Sequence, residues 1–297
     1  MAAELIDGKK ISEQIKAEVK SSTEELKSKG IVPGLAAVLV GDNPASQIYV
    51  RSKAKACEEA GIYSEVLKYP KEMKESELLD LIAELNQKDN ISGILVQLPL
   101  PEQISEEKII KAISPEKDVD GFHPYNLGLM LAGKPTFLPC TPYGIQELLM
   151  RSGNDPSGKY VVILGRGSLV GRPLSVILSQ KAKGANATVT LVHTGTKDIP
   201  KYTKQADIIV AAMGKPKFLT RDMVSPGAVV IDVGVNRVED KTAEKGYRIF
   251  GDVDFDEVKE VVKAITPVPG GVGPMTVAML LSNTLKAAKM RKALAGI

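Results

Sequence analysis

The chain has 297 residues, of which 43% are hydrophobic, 25% charged and only 4% aromatic, with a net charge of +3. That length exceeds what one hydrophobic core commonly organises, so two domains of ordinary size are expected in a soluble globular protein. The near-neutral balance and scarce rings supply neither a basic stripe nor a stacking platform for nucleic acid, no apolar run reaches bilayer length, and MAAELIDGKKISEQIK lacks the apolar core of a signal peptide, so no nucleic acid, no membrane and a cytoplasmic location are expected.

Helical and extended patterns alternate along the chain, the signature of an α/β protein with parallel sheets covered by helices. Residues 11–29 read as a helix, 33–40 (PGLAAVLV) as a buried strand, 44–60 as a helix, 63–69 as a strand, 76–86 as a helix, 91–96 (ISGILV) as a short apolar strand and 106–113 as a helix. Glycine, prolines and a loss of periodicity between Gly133 and Pro142 mark the domain change. A helix from Thr141 then leads into strands at 160–164, 188–192, 207–211 and 229–233. Six of the eleven residues 266–276 (TPVPGGVGPMT) are proline or glycine, which predicts a stiff loop without helix or strand, followed by an apolar helix from about Thr276. Such a loop suits close approach by a ligand; a rigid interdomain turn is the alternative. Cys57 and Cys140 form no CxxC and His123 and His193 have no partner at metal spacing, so two reduced cysteines and no metal are expected.

Three tracts carry chemistry. The strand KYVVIL runs into Gly165, Arg166, Gly167, Ser168, Leu169, Val170 and Gly171 and then a helix, the context in which a glycine turn offers backbone N–H groups to a phosphate. The spacing is GxGxxxG, one residue longer than the usual dinucleotide fingerprint. No carboxylate ends the next strand to accept free ribose hydroxyls; His193, Thr194 and Lys197 follow it, and with Arg166 they place hydroxyl and cationic donors where a 2′-phosphate would sit, which favours NADP over NAD.

The helix 44–60 begins with an Asn43 cap and Pro44 and closes at Gly61. Arg51, Lys55, Glu58 and Glu59 share a solvated side, whereas Lys53 leans toward the apolar row of Val50, Ala54 and Cys57, one turn after Tyr49. A partly desolvated lysine brings a neutral amine within reach; a stem covering the apolar seam with its ammonium in water is the bland alternative. Gln97 directly follows the strand ISGILV, at the strand end where open α/β sheets place ligands. Asp118 and Asp120 lie in PEKDVDGFHP, where a one-residue gap sends the carboxylates to different sides and either could cap a turn.

Those residues resemble the bifunctional methylenetetrahydrofolate dehydrogenase/cyclohydrolases. The resemblance rests on YVRSKAKA with Tyr49 and Lys53, VQLPLP with Gln97, PEKDVDG with Asp120, LPCTP around Cys140, GRGSLVG and ITPVPGGVGPMT. It implies an α/β catalytic, folate-binding domain over 1–140 completed by a C-terminal helix at 275–297, and a Rossmann-type NADP-binding domain with a parallel sheet over 141–274, with the active-site cleft between them. It implies oxidation of 5,10-methylenetetrahydrofolate by NADP⁺ and hydrolysis of the methenyl product to 10-formyltetrahydrofolate, in one-carbon metabolism and purine biosynthesis, by a homodimer. By the same resemblance Lys53 is the general acid/base of the hydrolysis, tuned by Gln97. Asp120 bonds the pterin, Tyr49 packs along the folate, and Pro267, Gly270 and Gly271 close over the substrate. Arg166 and Thr194 bind the 2′-phosphate, beside Gly165, Gly167, Ser168, Gly171 and His193. The family motif has serine where this chain has Gly167, with Ser168 following. The alternatives are a dehydrogenase without the hydrolase, another NADP-dependent dehydrogenase of shikimate dehydrogenase type, and a nucleotide sensor without turnover.

Overall fold

A computed structural model describes residues 3–240, 242 and 246–295. The first elements in chain order are β1 (Glu4–Leu5), α1 (Gly8–Ser28), β2 (Gly34–Val40), α2 (Pro44–Glu59), β3 (Tyr63–Tyr69), α3 (Glu75–Gln87), β4 (Gly93–Val96), α4 (Glu106–Ala112), α5 (Pro124–Leu131) and α6 (Cys140–Arg151). There follow β5 (Tyr160–Leu164), α7 (Gly171–Ser179), β6 (Thr188–Val192), α8 (Ile199–Thr203), β7 (Ile208–Ala211), β8 (Val229–Asp232), β9 (Asn236–Glu239), β10 (Tyr247–Phe250), α9 (Phe255–Val258), β11 (Ala264–Ile265) and α10 (Val272–Ala295).

The chain forms two compact units. One holds Glu13–Cys140 and the chain from Val277 on. Its sheet has the order β3-β2-β4, all parallel, with Leu35 opposite Ser64 on one side and Gly93 on the other. As the central strand, β2 is buried at every residue, which is why GLAAVLV reads as a continuous apolar run rather than an alternation. Leu78, Ile82 and Leu85 lie on one face of α3 at helical spacing and pack with Ile94, Val96, Ile109 and Ile113. Each such fully buried aliphatic side chain contributes ~2 kcal/mol relative to exposure. From α10, the buried Asn283 donates its amide to Val119 O at 2.8 Å and Leu138 O at 3.0 Å, which ties that helix to the segment carrying Asp120.

The other unit holds Thr141–Thr276 and the chain up to Ser12. Its six strands are all parallel in the order β1-β11-β8-β7-β5-β6. Val162, Leu164, Ile209, Val230 and Ile265 pack with Leu219, Val253 and Val258 in its core. The strands β9 and β10 pair antiparallel in a separate two-stranded hairpin, in which Arg237 stacks 4.0 Å over the Tyr247 ring.

Two expectations need correction. The N-terminal residues do not belong with the first domain: β1 pairs with β11, and Lys9 N–H donates to Gly270 O at 3.1 Å. Nothing in a two-residue strand signals such a long-range pairing. Nor is the tract 266–276 loop throughout, because α10 begins at Val272 and takes in Gly273 and Pro274. A proline is tolerated there because the first N–H groups of a helix have no intrahelical acceptor anyway. Among the described residues no helix is long and apolar enough to cross a membrane.

Candidate active site

In the unit built on β2, the helix α2 starts where the Asn43 side-chain Oδ1 accepts from Ala45 N–H and Ser46 N–H, with Pro44 at the first position. That start sets the helical phase. Val50, Ala56 and Cys57 are buried, Arg51, Lys55, Glu58 and Glu59 are exposed, and Lys53 sits half-buried between them. Its Nζ does not run out to water alone: it donates to Gln97 Oε1 at 3.0 Å. Gln97 reaches that position because β4 pairs with β2 and its own N–H continues the ladder to Val38 O at 2.9 Å. The Gln97 amide nitrogen donates to Leu98 O at 2.8 Å, which turns the carbonyl oxygen toward the lysine. Tyr49, one turn before Lys53, is 44% exposed and available to a flat ligand.

The two aspartates divide their roles. Asp118 is a structural anchor, accepting from Gly121, Phe122 and His123 N–H and from the Asn126 amide. Asp120 accepts no comparable backbone bonds. Burial pushes its carboxyl above the usual carboxylate range, the neighbouring Lys53 charge opposes this, Asp118 adds to it, and a hydrogen bond from the Cys140 thiol relieves part of it. Ile94, Val96, Leu98 and Phe122 wall a narrow cavity of about 20 Å³ beside Asp120. Cys140 itself is buried, and its thiol is raised well above normal by burial first and the Asp120 charge second, so it is an un-ionised hydrogen-bonding group. Sequence reading treats Cys140 as merely structural; only its place beside Asp120 shows otherwise. Tyr49, Lys53, Gln97 and Asp120 thus lie in one unit.

The remaining candidates lie in the other unit. Gly165 follows β5 with φ +110 and donates to Val192 O at 2.8 Å, and a Cβ on Gly171 would lie 2.0 Å from Gly165 O, so the turn closes only with glycines at both positions. Arg166, Gly167 and Ser168 are exposed on its rim, with open space where a Cβ on Gly167 would be. Val170 precedes α7 without a side-chain cap, and because Arg172 N–H donates to Gly167 O at 3.1 Å, Leu174 N–H donates to Val170 O at 2.9 Å and Pro173 has no N–H, the first turn of that helix leaves Gly171 N–H for an anion. At the end of β6, His193 Nδ1 accepts from Gly195 N–H at 3.1 Å, which orients the ring. His193 Nε2 lies 3.4 Å from Arg166 Nη1, so the imidazole and the guanidinium meet beside the glycine turn. Thr194 is exposed beside them. Pro267, Gly270 and Gly271 follow β11, three strand places from β5 or roughly 14 Å along the sheet; the structure does not bring them to the glycine turn.

Two buried aspartates that sequence reading passed over stand between. Asp232, at the end of β8, accepts from Gly234 N–H and Asp252 N–H through Oδ1 (2.9 and 2.8 Å) and from Val253 N–H through Oδ2 (3.1 Å). Asp252 accepts from the N–H groups of Met213, Gly214 and Lys215 at 2.6, 2.8 and 3.0 Å and from the Asn236 amide at 2.8 Å. In sequence each is a polar residue ending or following an apolar run, which any turn could explain.

Comparison with known proteins accounts for both units. Residues 6–120 match the family model of the tetrahydrofolate dehydrogenase/cyclohydrolase catalytic domain, and residues 139–292 that of the same family's NAD(P)-binding domain. The chain belongs to the tetrahydrofolate dehydrogenase/cyclohydrolase family. It is 60% identical over 291 residues to the bifunctional protein FolD of Dehalococcoides mccartyi strain CBDB1, covering 97% of this chain and 98% of that one. A bifunctional FolD methylenetetrahydrofolate dehydrogenase/cyclohydrolase from Campylobacter jejuni superposes with a TM-score of 0.91 at 52% identity, covering 98% and 100% of the two chains. A Trypanosoma brucei methylenetetrahydrofolate dehydrogenase-cyclohydrolase, solved with NADP cofactor and inhibitor, gives 0.92 at 38% identity, covering 98% and 99%. This family member is a bifunctional enzyme, a dehydrogenase and a cyclohydrolase acting in one-carbon metabolism.

The electrostatics of Asp232 give a pH dependence. Burial first, with Asp252 adding to it, raises its carboxyl to about 7 against the three N–H bonds that hold it down. A folded-state value above the unfolded one of about 3.9 means that the folded protein retains a proton the unfolded chain has lost. That stabilisation is complete below about pH 4 and disappears as pH rises through 7. In urea unfolding followed from pH 5 to 8.5, wild type should lose stability relative to Asp232→Asn as pH rises; parallel profiles would show that Asp232 is not the titrating group.

Proposed function

We propose that the half-buried Lys53, Gln97 and Asp120, with the exposed Tyr49, are the folate-handling and proton-transfer residues of the enzyme, and that the turn from Gly165 to Gly171, with Arg166, Ser168, His193 and Thr194, holds NADP. NADP⁺ supplies the hydride acceptor for oxidation of the methylene bridge of 5,10-methylenetetrahydrofolate. That step needs little acid or base help, since the folate nitrogens push electron density toward the departing hydride; the protein's contribution is alignment and exclusion of water. The hydrolysis asks more of the chain. As water adds to the bridging carbon of the methenyl cation, Lys53 takes one of its protons; as the bond from that carbon to the ring nitrogen breaks, the remaining O–H proton is lost to form the formyl carbonyl and the ring nitrogen takes up a proton, so that one proton is released overall. Gln97 Oε1 fixes the amine's position, Asp120 offers hydrogen bonds to the pterin, and Tyr49 lies along the folate. Pro267, Gly270 and Gly271 are proposed as substrate-binding residues on the family resemblance alone.

The observation that carries the reading is the Lys53–Gln97 hydrogen bond of 3.0 Å, which ties an inward lysine to the end of a parallel strand. For the cofactor it is the placement of the exposed Arg166 guanidinium on the glycine turn, 3.4 Å from His193 Nε2 at the end of the neighbouring strand, which puts a cation beside the turn where a phosphate would sit. Gly167 offers no side chain, so backbone N–H groups and Ser168 must serve where the family motif carries serine. The two unpaired buried cysteines suit a reducing compartment such as the cytoplasm.

Assays of each activity separately test this. Lys53→Met should lower the cyclohydrolase rate by roughly 10²-fold or more while hydride transfer stays within about tenfold; equal loss of both would reduce Lys53 to a structural role. Arg166→Ala should raise the KM for NADP⁺ about tenfold with little change for NAD⁺, and an unchanged ratio would remove Arg166 from the phosphate site.

The functional assembly is proposed to be a homodimer. The β9–β10 hairpin stands apart from the main sheet and exposes Val235 (58%) and Val238 (36%), apolar surface suited to a second copy of the chain. Sedimentation at micromolar concentration should give a dimer that Val235→Asp with Val238→Asp dissociates; a monomeric wild type would end the proposal.

A further inference from the structure

We propose that Asp252 is a positioning residue for the dinucleotide: from behind the sheet edge it holds the loop after β7 against the glycine turn, and so sets the shape of the cofactor site without touching it. The inference rests on the reading of the Gly165–Gly171 turn as the NADP site.

Two contacts link Asp252 to that turn. First, its carboxylate gathers three successive backbone N–H groups, those of Met213, Gly214 and Lys215, within 3.0 Å. Three converging donors on a tight turn form an anion-binding nest, and here the anion is a protein carboxylate. Second, the same loop is the wall on which the glycine turn rests. Ala212 N–H donates to Leu164 O at 2.8 Å, and a Cβ built on Gly165 would come within 2.1 Å of Ala212 O and 3.4 Å of Met213 N. The loop and the turn are therefore in backbone contact, with no side chain between them to absorb a shift. A displacement of the loop is transmitted directly to Gly165.

Asp252 is itself fixed. Its own N–H donates to Asp232 Oδ1 at 2.8 Å, and Asp232 N–H donates to Thr266 Oγ1 at 2.7 Å, at the root of the tract that carries Pro267 and Gly270. Glycines make room for both carboxylates: a Cβ on Gly251 would lie 1.8 Å from Asp232 Oδ2, and one on Gly234 would lie 2.3 Å from Asp252 Oδ1. Asp252 is fully buried, and its four donors use its acceptor capacity as a carboxylate. An amide in its place keeps the shape but has one acceptor oxygen, and it turns an NH₂ toward N–H groups that need an acceptor.

The experiment is Asp252→Asn in the full chain, with NADP⁺ affinity measured by equilibrium binding and the cyclohydrolase assayed on methenyltetrahydrofolate without nucleotide. The expected result is a rise in the NADP⁺ Kd of about tenfold with cyclohydrolase activity within about twofold of wild type. A merely structural role would lower both together, and that outcome, or an unchanged Kd, overturns the proposal. If Asp252→Asn does not fold, Asn236→Ala reads the same axis by removing the amide that donates to Asp252 Oδ1: a Kd raised about threefold supports the proposal and an unchanged Kd overturns it. Arg166→Ala run alongside separates the two levels. If it weakens NADP⁺ binding and the Asp252 variant does not, only the positioning role fails; if it has no effect, the cofactor-site reading has failed first.

Discussion

A parallel β-sheet covered on both faces leaves its edges for chemistry, and the edge at the carboxyl ends of the strands is where loops of many lengths can be attached without breaking the ladder. Both units of this enzyme obey that constraint. Gln97 follows β4, Gly165 follows β5, His193 follows β6, Asp232 ends β8 and Thr266 follows β11. The buried run of β2 matters for the same reason: its pairing with β4 continues to Gln97 N–H, and that last rung delivers the amide to Lys53. Were the β2–β4 register to slip by one residue, the side chain of Gln97 would point to the other face and Lys53 would lose its partner.

Charge inside the protein is handled mainly by backbone dipoles. Asp118, Asp232 and Asp252 are all buried, and each accepts three backbone N–H groups rather than facing a lysine or arginine. Fixed dipoles satisfy a carboxylate without the desolvation cost of a second buried ion. Asp120 differs from these three in having Lys53 and the Cys140 thiol as its neighbours. Two aspartates two positions apart in the chain are thus held by different kinds of neighbour.

Much was legible in the sequence. Strands 63–69, 160–164 and 188–192 lie where periodicity and flanking turns put them, because contiguous apolar or alternating runs leave a chain few other ways to bury them. The inward lean of Lys53 followed from the helical phase that Asn43 and Pro44 impose, and the glycine turn from its strand-before, helix-after context. The start of α10 inside TPVPGGVGPMT was not legible, since composition alone cannot distinguish a proline that ends a helix from one in its first turn. Nor was the hairpin β9–β10, whose short strands lack an alternating pattern.

By itself, then, the sequence determined what is local: element type, helix phase, the glycine turn, and the family to which those motifs point. Tertiary structure alone decided what depends on residues far apart in the chain. Such contacts include β1 on β11, Asn283 on Val119, Cys140 beside Asp120, and the chain from Thr266 through Asp232 and Asp252 to the loop after β7. The physical reason is that a lone aspartate, cysteine or asparagine has no periodicity and takes its role from the donors that folding gathers around it, whereas an apolar stripe announces its partner face in its own spacing.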